Sequence, residues 1–153
     1  MSVSPIPEGF HSLSPYLAVD DAAAAIRFYS AAFGATEELR LEVGGKIGHA
    51  EIRIRDSVLM LSDEWPEWNM LGPKSRGGPT CNLHLYVEDV DAAFARAVEA
   101  GATVERPVAD QFYGDRSGTL SDPFGHRWNL ATHVEDVTVE EMRRRMAGQS
   151  DAG

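Results

Sequence analysis

His49, Glu51 and Arg53 alternate with Ala50, Ile52 and Ile54. Period-two alternation marks a strand, so the three polar side chains share one face and the three apolar ones the other. An imidazole beside a carboxylate on one strand face supports two chemistries. With His84 arriving from another strand, the three could hold a divalent ion. Alternatively they work as metal-free acid–base groups, because histidine titrates near neutrality and a buried glutamate can be tuned upward. Glu51 and His84 are therefore the catalytic candidates. The commoner use of such a face is a hydrogen-bonded polar wall, with Glu51 paired to Arg53 or Arg127, and that reading is preferred.

The same alternation identifies other faces. Asn82, His84 and Tyr86 alternate with Leu83, Leu85 and Val87, and Arg127 and Asn129 flank Trp128 before Leu130. Ser14, Tyr16 and Ala18 oppose Leu13, Leu17 and Val19, while Ser117, Thr119 and Ser121 form a further polar set. Tyr113-Gly114-Asp115-Arg116 either closes over a ligand or is a surface loop with one ion pair. Trp65 and Trp68 point to burial against a partner subunit or a planar ligand, with the subunit interface preferred. His126, after a turn glycine, is expected only to finish a hairpin. Cys81, the single cysteine, reads as a small buried hydrophobe rather than a nucleophile.

These faces need elements to carry them. Residues 13–19 read as a strand with Pro15 near its start or at an edge. Asp20 or Asp21 then caps a helix with Ala22, Ala25, Ile26, Tyr29 and Phe33 on one face, stopped by Gly34. Strands over 36–43, 47–54 and 57–62 follow, turned by Gly44-Gly45 and Arg55-Asp56. After a polar connection the order repeats: a strand over 81–87, a helix capped by Asp89 and ended by Gly101, and strands over 103–107, 117–121 and 127–132. Asp122-Pro123-Phe124-Gly125 is a turn signal. Thr138 to Glu141 fits a capping box for a last helix with Val139, Met142 and Met146 on one stripe. Arg143, Arg144 and Arg145 are expected to face solvent at its end.

The second half restates the first. Val19-Asp20-Asp21 is answered by Val87-Glu88-Asp89, and Gly34-Ala35-Thr36 by Gly101-Ala102-Thr103. Such a period suggests two half-domains that pack together around a cleft. The net charge of −10 disfavours nucleic acid and anionic membranes as partners; it suits neutral or cationic ligands, though solubility is the preferred reason for it. One cysteine fits a reducing compartment. Residues 1–9 lack the basic and apolar regions of a signal peptide, and no run is long enough to span a membrane, so the expected location is cytoplasmic.

Paired β-α-β-β-β modules carrying Pro15-Tyr16-Leu17-Ala18-Val19-Asp20-Asp21, Phe28-Tyr29, Phe33-Gly34-Ala35, His84-Leu85-Tyr86-Val87-Glu88-Asp89-Val90 and Asp122-Pro123-Phe124-Gly125-His126 resemble the vicinal oxygen chelate superfamily. That group includes glyoxalase I, extradiol dioxygenases, fosfomycin-resistance transferases and bleomycin-binding resistance proteins. The resemblance covers about residues 12–133. It implies an α+β fold: two tandem βαβββ modules forming an open, cleft-enclosing eight-stranded barrel, plus a short C-terminal helix. Module one is expected over 12–62, a linker over 63–79, module two over 80–133 and the helix over 138–147, within one domain spanning 1–153. Homodimers are usual in such proteins, with modules paired within or across subunits.

The resemblance also implies four metal-ligand positions, which fall on Ser14, Met60, Asn82 and Asn129. Ser14 and Asn82 lie 68 residues apart, and Met60 and Asn129 lie 69 apart, so the repeat supports the register. None is a histidine or carboxylate, and a hydroxyl, a thioether and two amides make a poor divalent site. No cofactor is expected, although the His49, Glu51 and His84 set leaves a divalent metal open. The leading expectation is a protein without the usual metal that binds a small organic molecule in the cleft between the modules. Its ligand wall would be Ser14, Tyr16, His49, Glu51, Arg53, Met60, Asn82, His84, Tyr86, Tyr113, Arg127 and Asn129. The alternatives are an isomerase, lyase or dioxygenase using displaced ligands or acid–base residues, and a dimeric module that serves a protein partner.

Overall fold

The computed structural model describes residues 2–150. Module one runs β1 (Tyr16–Val19), α1 (Ala22–Phe33), β2 (Thr36–Val43), β3 (Lys46–Ile54) and β4 (Ser57–Asp63). Module two repeats the order with β5 (Asn82–Tyr86), α3 (Val90–Ala100), β6 (Thr103–Asp110), β7 (Asp115–Ser121) and β8 (Arg127–His133). The connection between them, expected as plain loop, folds into a 3-10 turn at Pro66–Trp68 and a one-turn helix α2 (Pro73–Arg76). A last helix, α4 (Val139–Ser150), follows module two. The α+β class and the doubled βαβββ order are both present.

Each module makes one four-stranded sheet, ordered β1-β4-β3-β2 and β5-β8-β7-β6. The eight strands form these two separate sheets and not a closed barrel. β1 and β5 are edge strands, each paired only with the last strand of its own module, in parallel. The edge position accommodates Pro15, which has no N–H to donate, and the strand starts one residue later than the proline. Pro15 does offer its carbonyl, which accepts from Met60 N at 3.0 Å.

The repeat is geometric as well as textual. Tyr16 stands opposite Met60, and His84 opposite Asn129, so the 68- and 69-residue offsets recur in the strand register. Asp21 caps α1 by accepting from Ala24 N, and Asp89 caps α3 by accepting from Ala92 N. At the far end of each sheet a side chain holds the first helical N–H: Asp63 takes Ala22 N at 2.8 Å, and Thr132 takes Val90 N at 3.0 Å. Each helix is thereby fixed across one face of its sheet, and the opposite face stays open.

The modules meet through their helices. α1 packs on α3, and Arg96 of α3 donates to the Ala31 carbonyl at 2.7 Å, placing a cation at the C-terminal end of α1. Buried side chains from both modules form one core cluster, including Val19, Ile26, Tyr29, Leu61, Phe94, Leu120 and Trp128. His126 does more than finish a hairpin: its Nε2 lies 2.9 Å from the Ala18 carbonyl in module one.

Asp122 links the same two modules from the inside. It is 5% exposed, and its Oδ1 accepts from the backbone N–H groups of Phe124 and His126, both at 2.9 Å. Its Oδ2 accepts from Tyr29 OH at 2.5 Å and from Trp128 Nε1 at 2.9 Å. Burial, and then the Asp122 charge, push the Tyr29 phenol well above its ordinary pKa, so it stays a donor.

The last helix starts at the expected capping residue, with Glu141 N donating to Thr138 Oγ1 at 3.2 Å. Arg145 does not simply face solvent. It pairs with Glu135 and Glu141 and donates to the Phe112 carbonyl, which ties α4 to module two. Arg144 and Arg145 together hold the Glu141 carboxyl down at about 2.

Tyr29→Phe removes one donor to a buried carboxylate, and a loss of about 1–3 kcal/mol is expected in urea unfolding. Asp122→Ala strands two buried side-chain donors and two backbone N–H groups, so its loss should be clearly larger. Equal stabilities for the two variants would contradict the hub role.

Candidate functional site

The open face of the first sheet carries a hydrogen-bonded chain. Ala50, Ile52 and Ile54 are buried beneath β3, leaving His49, Glu51 and Arg53 on the other side. His49 Nε2 lies 2.9 Å from Glu51 Oε2, and its Nδ1 lies 2.8 Å from Tyr16 OH on β1. The Glu51 carboxylate needs a donor, so Nε2 carries the proton and Nδ1 accepts from the Tyr16 hydroxyl. Both ring nitrogens are then committed. The hydrogen-bonded chain ends at the Tyr16 oxygen, which keeps its acceptor capacity toward the open face. Partial burial raises the Tyr16 pKa, the Ser62 hydroxyl opposes that shift, and the Glu51 charge adds to it.

The partners differ from those expected. Glu51 pairs with His49, and neither arginine reaches it. Arg53 donates to Glu38 at 2.5 Å and to the Gly9 carbonyl at 3.1 Å. Arg127 pairs with Glu105. Met60 stands in register opposite both Tyr16 and Glu51.

The open face of the second sheet holds a cavity of ≈ 340 Å³. It brings together five of the expected residues: Asn82, His84, Tyr113, Arg127 and Asn129. Ser117 and Thr119 of β7 supply its floor, and both are buried. Thr119 Oγ1 donates to Asn129 Oδ1 at 2.9 Å, which leaves the Asn129 amide hydrogens for the cavity. Gln111 spends its amide hydrogens on the Ala109 and Ser117 carbonyls. Gly118 is required here, because a Cβ would sit 2.7 Å from the Phe94 ring.

Arg106 also lines this cavity and was not anticipated. β6 pairs with β7 through register irregularities on both sides of Arg106, and a bulge re-aims side chains that simple alternation would place elsewhere. The Arg106-Pro107 pair was the available signal, since proline in a strand favours bulges and edges.

His84 differs from the other histidines. His11 and His126 each bond a backbone carbonyl through one nitrogen, and His49 and His133 use both. Among the described residues His84 alone has neither nitrogen committed; its contact is an edge-on one with the Tyr86 ring at 4.9 Å. Tyr86 itself is anchored, donating to Asp115 Oδ2 at 2.8 Å. That bond, more than burial, raises the Tyr86 pKa.

Asp115 is buried and does not pair with Arg116. It accepts from Tyr86 and from His133 Nδ1, while Arg116 grips Asp91 with two bonds and also reaches Asp110. Asp115 and Arg116 thus belong to β7 and are held by several partners, not by one ion pair, while Tyr113 lines the cavity. Ser14 lies in a different space, an apolar groove of ≈ 440 Å³ between the modules, with Leu59, Leu83, Leu85 and Trp128. Asn82 and His84 line this groove as well as the cavity. Cys81 is exposed at the groove, not buried, because β5 begins only at the next residue.

The structure joins His49 to Glu51 but gives His84 no bond to either. Among the described residues no three His, Cys, Asp or Glu side chains form a group able to hold a metal ion. Trp65 and Trp68 stack on each other at 5.5 Å with Lys46 Nζ over the Trp65 ring, and Trp68 remains 73% exposed.

His133 offers a pH test of the Asp115 network. Asp115 first, and Asp136 second, raise its pKa above the ordinary 6.5. The stabilisation from these contacts is therefore complete below about pH 6.5 and is lost as pH rises through the raised value. NMR titration should place the His133 midpoint above that ordinary value, and Asp136→Asn should lower it. A midpoint at or below 6.5 in the intact protein would contradict the network.

Among the described residues no helix is long and apolar enough to cross a membrane. An uncharacterized protein of Mycobacterium tuberculosis, Rv0887c, is 46% identical over 144 residues, covering 92% of this chain and 85% of that one. An uncharacterized Arabidopsis thaliana protein, At5g48480, is 31% identical over 125 residues, covering 76% of this chain and 74% of its own length. Among solved structures, TioX from Micromonospora sp. ML1 superposes with a TM-score of 0.66 at 28% identity, covering 81% of this chain and 99% of TioX. The family model for the Glyoxalase/Bleomycin resistance protein/Dioxygenase superfamily matches residues 9–130. The chain belongs to that superfamily.

Proposed function

We propose that this protein binds a small organic molecule in the cavity on the open face of its second sheet, without a divalent metal at the superfamily's ligand positions. The observation that carries the reading is the cavity itself, where buried Ser117 and Thr119, an oriented Asn129 and an uncommitted His84 converge in ≈ 340 Å³. Concave sites with a few placed polar groups are the usual form of a ligand pocket.

The donor set supports the metal-free part. Ser14, Met60, Asn82 and Asn129 bring no charge to offset the dehydration of a divalent ion, and a thioether suits Cu(I). Asn129 Oδ1, its best oxygen donor, already accepts from Thr119. Ser14 precedes β1 and lies in the apolar groove. His49 cannot replace them while both its nitrogens are bonded within the chain.

The same reading has the protein act as a cytoplasmic homodimer. Leu13, Leu41, Val43, Trp68 and Tyr86 are large, apolar and exposed, and several lie on the two sheets or their edges. Such surface commonly marks an interface.

Protein purified without chelator should contain no stoichiometric metal and should gain little thermal stability from Ni, Zn, Mn, Fe(II) or Co. A ligand present at a hundred times its Kd stabilises by about 2.7 kcal/mol, so true metal binding would be visible as a large shift. Stoichiometric metal or such a shift would overturn the metal-free reading. Light scattering should give twice the chain mass, and Trp68→Ser should weaken the dimer; a monomer in the unaltered protein would remove the interface.

A further inference from the structure

We infer that the ligand is an organic anion: a carboxylate or phosphate on an apolar body, with its charged end in the cavity of the second sheet. This rests on the ligand-binding role proposed for that cavity. The chain carries a net charge of −10, yet among the described residues no aspartate or glutamate lines the cavity, and two arginines, Arg106 and Arg127, do. Local charge here opposes global charge. At physiological salt, exposed charges farther than about 8 Å are largely screened, so the lining outweighs the remote carboxylates in selecting the ligand's sign.

The arginines are not equivalent. Arg127 is paired with Glu105, whose carboxyl is held below its usual range by the Ser121 hydroxyl first, and then by Arg127 and Arg106. That pair largely cancels. Arg106 is exposed and, among the described residues, makes no close ion pair of its own, so the two arginines set against the single Glu105 carboxylate leave one positive charge for a ligand. A planar guanidinium fork matches a carboxylate or a phosphate.

The neighbouring groups have the matching polarity. Thr119 occupies the Asn129 carbonyl and turns the amide hydrogens to the cavity, and His84 has a ring N–H free to donate. The apolar body has its own place. The groove with Leu59, Leu83, Leu85 and Trp128 shares Asn82 and His84 with the cavity as a common wall. The two spaces therefore adjoin at Asn82 and His84, which sets an apolar surface beside the place proposed for the charged end.

A matched series tests this with the intact protein: benzoate, phenyl phosphate, benzamide and benzylamine, titrated by NMR on the amides of Asn82, His84 and Asn129. The anions should bind tightest and benzylamine weakest, with the ratio of benzoate to phenyl phosphate separating a carboxylate site from a phosphate site. Arg106→Gln, at an exposed position, should weaken the anions about tenfold or more and leave benzamide unchanged. Asn129→Asp keeps the acceptor for Thr119 and adds a negative charge, so it should invert the order and favour benzylamine. Unfolding midpoints of both variants without ligand check that they fold. Benzylamine or benzamide binding as tightly as benzoate, unaffected by Arg106→Gln, would overturn the anion inference and leave the ligand-binding role standing. Binding by no member of the series would overturn both.

Discussion

The buried carboxylate of Asp122 is the constraint on which the rest of the molecule depends. A carboxylate removed from water costs several kcal/mol unless its lone pairs are filled, and four donors fill them here. Two come from the turn that Asp122 itself begins, one from Trp128 on β8, and one from Tyr29 on α1 in the other module. The first pair shapes the turn and so sets where β8 starts. Trp128 then packs toward the core, which sends Arg127 and Asn129 to the open face. Tyr29 carries the constraint across the module boundary, so the helices pack in one arrangement.

The doubled module leaves two open faces that have diverged in use. The first spends its titratable groups on each other: Glu51 on His49, and His49 on Tyr16. The second keeps more of them available: among the described residues His84 is uncommitted and Arg106 makes no close ion pair, while Thr119 orients Asn129. A hydrogen-bonded chain is stable and self-satisfied, whereas a cavity with free donors gains by accepting a guest. This asymmetry between equivalent strand pairs, Tyr16 with Met60 and His84 with Asn129, argues for placing the ligand on the second sheet.

Charge distribution follows the same division. The acidic balance of the chain, taken as a whole, suits a cationic guest. Yet Glu37, Glu38, Asp91, Glu135 and Glu141 each hold an arginine outside the cavity, and none lines it. Net charge is a sum over positions, and a binding site responds to the few charges within a screening length.

Much of the architecture was legible in the residues alone. Alternation at 49–54 and 82–87 gave the faces, Asp21, Gly34 and Asp89 marked the helix ends, and the offsets between Ser14 and Asn82 and between Met60 and Asn129 aligned the modules in the register the strands adopt. These are local properties, governed by backbone periodicity and capping within a few residues. Only the tertiary structure decided who meets whom: Glu51 with His49 and not an arginine, Asp115 with Tyr86 and His133 and not its neighbour Arg116, Cys81 exposed, and Arg106 turned into the cavity. Partner choice depends on strand register, bulges and helix packing that join residues far apart in the chain. A pattern of types along one strand holds no information about the strand beside it.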